Sequence, residues 1–160
     1  MSNVAIFVSL NTDRWNAPLY RFFTGCYAYH TGFVDLESGF MYDMNLLRRR
    51  RIWMEYASRR NVEVYASPVA ISREYLEAQL DSDTNRYGYW DYALFALRPL
   101  YHLFGKVTRN QKGVICSEMV NADLRAHGCK TPWPLEDGPP SPCDIRQWLR
   151  LREAYGGPRL

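Results

Sequence analysis

Two side chains in this sequence have the chemistry for nucleophilic acyl transfer, a cysteine late in the chain and a histidine early in it. Cys116 stands where a short strand-like run, Gly113-Val114-Ile115, gives way to an amphipathic stretch that starts at Ser117. A thiol attacks carbonyl carbon well only as its thiolate, and a helix N-terminus or a neighbouring imidazolium favours that form. The backbone N–H groups of Cys116 and Ser117 would point outward from the helix start and serve as oxyanion donors. Taken alone, a free cysteine is more often a small buried hydrophobe.

His30 opens a strand-like run, Tyr29 to Val34. The other two histidines have simpler explanations. His102 follows Pro99 in an apolar segment, and His127 adjoins Gly128 at a helix end, where the dipole favours a cation. An imidazole base works best when a third group fixes its tautomer. Asp43, on the strand that pairs with the His30 strand, is the first choice for that group. Asp35 is the second, but it stands at the turn. Bulges leave the register open by one residue.

The elements that must position these residues are readable from pattern. Val4 to Leu10 is a short apolar run and reads as a buried strand. Asn16 to Thr24 reads as a helix beginning near Pro18. Thr31 to Leu36 and Phe40 to Met44 form a hairpin about Glu37-Ser38-Gly39, and Val62 to Tyr65 alternates as a strand. Ser72 is an N-cap for a helix through Leu80. Tyr89 to Leu97 is an apolar, aromatic helix that Pro99 ends or kinks. From Ser117 a helix runs to Ala126, with Cys116, Val120 and Leu124 on one face and Gly128 as its stop. Ser141-Pro142 starts the last helix.

The chemistry-bearing segments resemble a known family. Tyr29-His30-Thr31-Gly32-Phe33-Val34 is similar to the His-x-Gly strand of permuted NlpC-type papain-fold proteins. Gly113-Val114-Ile115-Cys116-Ser117-Glu118-Met119-Val120 resembles their Cys-Ser-Glu-Leu-Val helix. That family includes the YiiX-like hydrolases and is similar to the lecithin:retinol acyltransferase group. Gly88-Tyr89-Trp90-Asp91-Tyr92 and Ser141-Pro142-Cys143-Asp144-Ile145 resemble the family's entry to a central helix and its closing helix. The likeness runs from about Val4 to about Leu149. The resemblance implies an α+β, circularly permuted papain-like fold in one domain, an antiparallel sheet packed against helices. It places the nucleophile on Cys116 and the base on His30. The family's third residue is often Glu or His; here the nearest match is Asp43. Glu118 matches a family glutamate and is read as a structural hydrogen-bonding residue.

The expected activity is cysteine hydrolysis through an acyl-enzyme, with no cofactor. The family implies a peptide, muropeptide or lipid acyl substrate, and a bacterial or bacteriophage setting, with a virion assembly partner if phage-borne. The alternative is a catalytically silent structural or binding module on the same fold. Tyr29, Tyr87, Tyr89 and Tyr92 are the expected cleft residues, since a phenol offers an apolar wall and a polar tip.

Composition bounds the rest. The 160 residues carry 47% hydrophobic and 23% charged side chains, enough for a core without metal or cross-links. A net charge of +3 is too mild to argue for nucleic acid. Arg48 to Arg51, with Arg59, Arg60, Trp53 and Tyr56, read first as a solvated helical face partly paired with Glu55. Second, they are a contact for an anionic surface beside the cleft. The four cysteines, Cys26, Cys116, Cys129 and Cys143, lack CxxC spacing and read as free thiols in a reducing compartment. Cys26 and His30 are four apart, but no tetrahedral zinc set has a recognisable spacing. The apolar N-terminal run lacks a basic flank and no stretch is long enough to span a bilayer, so a cytoplasmic or virion-associated protein is expected.

Overall fold

The computed structural model describes residues 4–12, 18, 21, 26–45, 47–80, 116–135 and 140–155. Five strands, β1 (Val4–Leu10), β2 (Ala28–Asp35), β3 (Phe40–Asn45), β4 (Leu47–Ile52) and β5 (Asn61–Ala66), form one sheet. Its order is β4-β3-β2-β1-β5, and every neighbouring pair is antiparallel. Among the described residues there are four helices, in chain order α1 (Trp53–Ala57), α2 (Arg73–Ala78), α3 (Cys116–Ala126) and α4 (Pro142–Ala154). The architecture is α+β, with α3 packed on β2 and β3 and α4 on β2.

Alternation along β1 divides the core in two. Val4, Ile6 and Val8 belong to the cluster that holds Met119, Val120 and Leu124 of α3 and Ile145 and Leu149 of α4. Ala5 and Phe7 belong to a second cluster with Val34, Met41 and Tyr56, flanked by Trp53, Val62 and Val64. Both faces of β1 are therefore dry, which is why the strand reads as a continuous apolar run. Burying each of its large side chains contributes roughly 1.5–3 kcal/mol.

Turn and cap chemistry sets the boundaries. In the β2–β3 hairpin Gly39 takes φ 71°, and its N–H donates to the Asp35 carbonyl at 2.9 Å. Asp35 holds this turn with its carboxylate as well, accepting from the Glu37 N–H at 3.1 Å and the Ser38 hydroxyl at 2.6 Å. Ser72 caps α2 by accepting from the Tyr75 N–H. Gly128, at φ 82°, ends α3: its N–H donates to the Arg125 carbonyl, and the Cys129 N–H to the Leu124 carbonyl. That pair of bonds is a Schellman motif. Ser141 and Asp144 cap α4 reciprocally, with Pro142 in the first turn.

Two expectations are corrected here. Arg48 to Arg51 lie on β4, a strand, and not on a helical face. Strand geometry sends alternate arginines to opposite sides. Arg49 and Arg51 reach Asp43, whereas Arg48 reaches Asp123 and Arg50 reaches Glu77. Glu55 is a partner of none of them in these pairs. Secondly, Cys26 and Cys143 form a disulfide across a sequence separation of 117, so only Cys116 and Cys129 are free. The segment 81–115, with the expected Tyr89–Leu97 helix, and most of Asn16 to Thr24 lie outside the described residues. Among the described residues, no helix is long and apolar enough to cross a membrane.

Candidate active site

β2 delivers His30 through an irregularity. Leu10 of β1 pairs with Ala28 and Ser9 with His30, so Tyr29 is an extra residue on the β2 side. Bulges of this kind re-aim side chains. The His30 ring meets Phe7 at 5.9 Å and Tyr56 at 6.5 Å between centroids. The Tyr29 ring stacks beside it at 6.4 Å.

Asp43 sits opposite Gly32, two residues along β2 from His30, so the two side chains are diagonal neighbours. Its Oδ2 lies 2.8 Å from His30 Nε2. Gly32 explains the His-x-Gly spacing. A Cβ there would come within 2.5 Å of the Tyr42 carbonyl and 2.7 Å of the Phe7 ring. Only glycine lets the strands and Phe7 close over the gap between His30 and Asp43.

The Asp43 carboxylate is fully buried and saturated with donors. Arg49 donates through Nε at 2.9 Å, and Arg51 through Nη2. Burial works against its charge, but the His30 hydrogen bond and charge, with Arg49 and Arg51, hold the carboxyl well below the usual range.

With Nε2 facing Asp43, Nδ1 is the nitrogen left for the nucleophile. Cys116, the first residue of α3, is a neighbour of the imidazole and favours its charged form. Burial pulls the His30 pKa down, but the attraction of Cys116 and the Asp43 hydrogen bond outweigh it, and it is pushed up to about 9. Ser117 is anchored, its hydroxyl donating to the Pro140 carbonyl at 2.6 Å, which ties the start of α3 to the start of α4. Cys116 is 7% exposed, at the edge of the core.

Of the sequence-derived site residues, Cys116, His30 and Asp43 thus come together. Asp35 is occupied at the hairpin turn. Tyr29 stands beside His30, and its hydroxyl accepts from Arg60 at 2.6 Å. Tyr87, Tyr89, Tyr92 and His102 lie outside the described residues. His127 packs edge-on against Tyr75, and its Nδ1 lies 2.8 Å from the Asp123 carbonyl. Cys26, weighed above as a zinc ligand, is bonded to Cys143.

Sequence reasoning missed Arg49, Arg51 and Tyr56. The signal for the arginines was present: a run that follows a strand and a single asparagine-leucine step can itself be a strand. Tyr56 lies under the site. Its hydroxyl bonds to Ser9 at 2.7 Å, and the guanidiniums of Arg51 and Arg60 lie 4.6 and 4.8 Å from its ring centre. Compared with protein-family models, curated proteins and solved structures, the chain finds no match.

Proposed function

We propose that this chain is a cysteine hydrolase of the permuted papain-like type, cleaving an amide bond through an acyl-enzyme. The observation that carries the reading is one imidazole that is bonded to a buried, arginine-held carboxylate and has the Cys116 thiol as a neighbour. The chain order, histidine strand first and cysteine helix last, and the antiparallel sheet against α3 support the permuted fold.

In the reaction His30 takes the thiol proton on Nδ1, and Cys116 Sγ attacks the carbonyl carbon. Charge develops on the carbonyl oxygen, and the N–H groups at the start of α3 are the donors suited to it. The tetrahedral adduct collapses, the C–N bond breaks, and His30 gives its proton to the departing amine. Water, deprotonated by His30, then attacks the thioester and releases the acid and the free thiol. Asp43 keeps the Nε2 proton in place throughout and stabilises the imidazolium.

The test pairs labelling with turnover. Iodoacetamide near neutral pH is expected to alkylate one cysteine stoichiometrically, and peptide mapping to place it on Cys116. Cys129, whose thiol burial pushes up, is expected to react slowly. Incubation with muropeptides and with phospholipids, read by mass spectrometry, is expected to give cleaved amides, abolished in Cys116→Ala. Preferential labelling of Cys129 with no product from either substrate set would instead mark a silent module.

A further inference from the structure

A pair of arginines, Arg59 and Arg60, lies beside the proposed base. A cleft of about 430 Å³ opens there, walled by Tyr29, Tyr56, Arg51, Arg59 and Arg60, with Glu55 on the same wall. Tyr29 and Tyr56 are the two rings that also contact His30, so the cleft is one ring-width from the imidazole.

The arginines of β4, and Arg146 on α4, have carboxylate partners. Arg48, Arg49, Arg50 and Arg51 pair with Asp123, Asp43, Glu77 and Asp43, and Arg146 pairs with Glu63. Arg59 and Arg60 have no carboxylate partner among the described residues. Arg60 is half-buried, lying over Tyr56 and donating to the Tyr29 phenol, while Arg59 is exposed. A guanidinium held by a phenol and a ring face keeps most of its five donors, in a planar fork that matches a carboxylate.

We propose that this cleft is a carboxylate-binding subsite and that the substrate of the hydrolase is an acidic peptide; the second half rests on the function proposed above. The lining favours a peptide carboxylate over a bare phosphate. The planar forks of Arg59 and Arg60 match a carboxylate, and Glu55 on the same wall can accept from a peptide N–H. The Tyr29 ring beside them suits a peptide plane.

Binding to Cys116→Ala tests this without requiring turnover, so a failure of hydrolysis and a failure of the subsite are told apart. The probes are two pools of acetylated tripeptides, one carrying Asp and Glu, the other Asn and Gln at the same positions, followed by heteronuclear NMR. Resonances of Tyr29, Arg59 and Arg60 are expected to shift with the acidic pool, bound about tenfold more tightly than the neutral one. The preference is expected to shrink as salt rises from about 0.05 to about 0.5 M. It should vanish when Arg59→Gln and Arg60→Gln are added. If that double change unfolds the protein, Arg59→Gln alone, at an exposed position, should weaken the preference. Equal binding of both pools overturns the subsite. Binding of phosphatidylglycerol vesicles at these residues without binding of the acidic pool overturns the peptide assignment.

Discussion

The His30 ring has two acids of different kind as neighbours, the Asp43 carboxylate at 2.8 Å from Nε2 and the Cys116 thiol. Both favour its charged form, and together they overcome its burial, so its pKa is pushed up to about 9. The sign of the pH dependence follows. A raised histidine contributes stability that is fully present below its unfolded value of 6.5 and is lost as pH rises through about 9. Asp43 is shifted the other way. Its contribution is present above the unfolded value of 3.8 and is lost as pH falls through the acid range below it. For the proposed hydrolysis, the alkaline limb of kcat/KM is expected near pH 9, where His30 would lose the proton that the leaving amine needs. Asp43→Asn removes the charge and the fixed acceptor at Nε2. The alkaline limb should then move to lower pH and kcat/KM should fall by about 10²–10⁴-fold. A rate profile of the two proteins checks it, and an unmoved limb would mean that Asp43 does not act on the His30 proton.

At the scale of elements, β4 shows what strand geometry does with four consecutive arginines. On one side of it lie two ion pairs of very different worth. Arg48 and Asp123 are bidentate at 2.7 and 2.8 Å, with side chains 7% and 3% exposed, and Tyr75 adds a third bond to the same carboxylate. Arg50 and Glu77 are 44% and 30% exposed. Asp123→Ala strands a buried guanidinium and is expected to cost about 3–5 kcal/mol. Arg50→Gln breaks a screened pair and should cost no more than about 1 kcal/mol. Denaturant melts of the two variants measure the difference, and equal losses would mean that burial does not set the worth of these pairs. As an edge strand, β4 also uses its charges to discourage pairing with another chain. Most elements were legible in the sequence because apolar period and cap residues agree in them: β1, the β2–β3 hairpin, β5, and the capped helices α2 and α4. β4 was not, since a strand of arginines has no apolar alternation to read and its partners are distant carboxylates. The diagonal meeting of His30 and Asp43 was legible only as far as the hairpin. The extra residue at Tyr29 sets how His30 is aimed, and nothing local encodes it.

For the whole molecule, the Cys26–Cys143 disulfide joins the approach to β2 with the first turn of α4. Cysteine spacing carries no trace of this pairing, because the two residues come together only when α4 docks on β2. The link has a consequence for the site. His30 lies four residues beyond Cys26, and Ser117 at the start of α3 is bonded to Pro140 just before α4. A cross-link at that corner therefore fixes the strand of His30 and the helix that carries Cys116 against each other. Closing so long a loop restricts the unfolded chain strongly, and its loss by Cys143→Ser is expected to cost about 2–4 kcal/mol. Unfolded but unreduced protein should titrate two thiols, Cys116 and Cys129, and four after reduction. Denaturant melts of the parent protein and of Cys143→Ser, both with Cys116 kept reduced, would measure the stability term. The same pair in an activity assay should show a fall in kcat as the corner loosens. Four thiols in the unreduced, unfolded protein would remove the link and with it this account of how the two halves of the site are held in register.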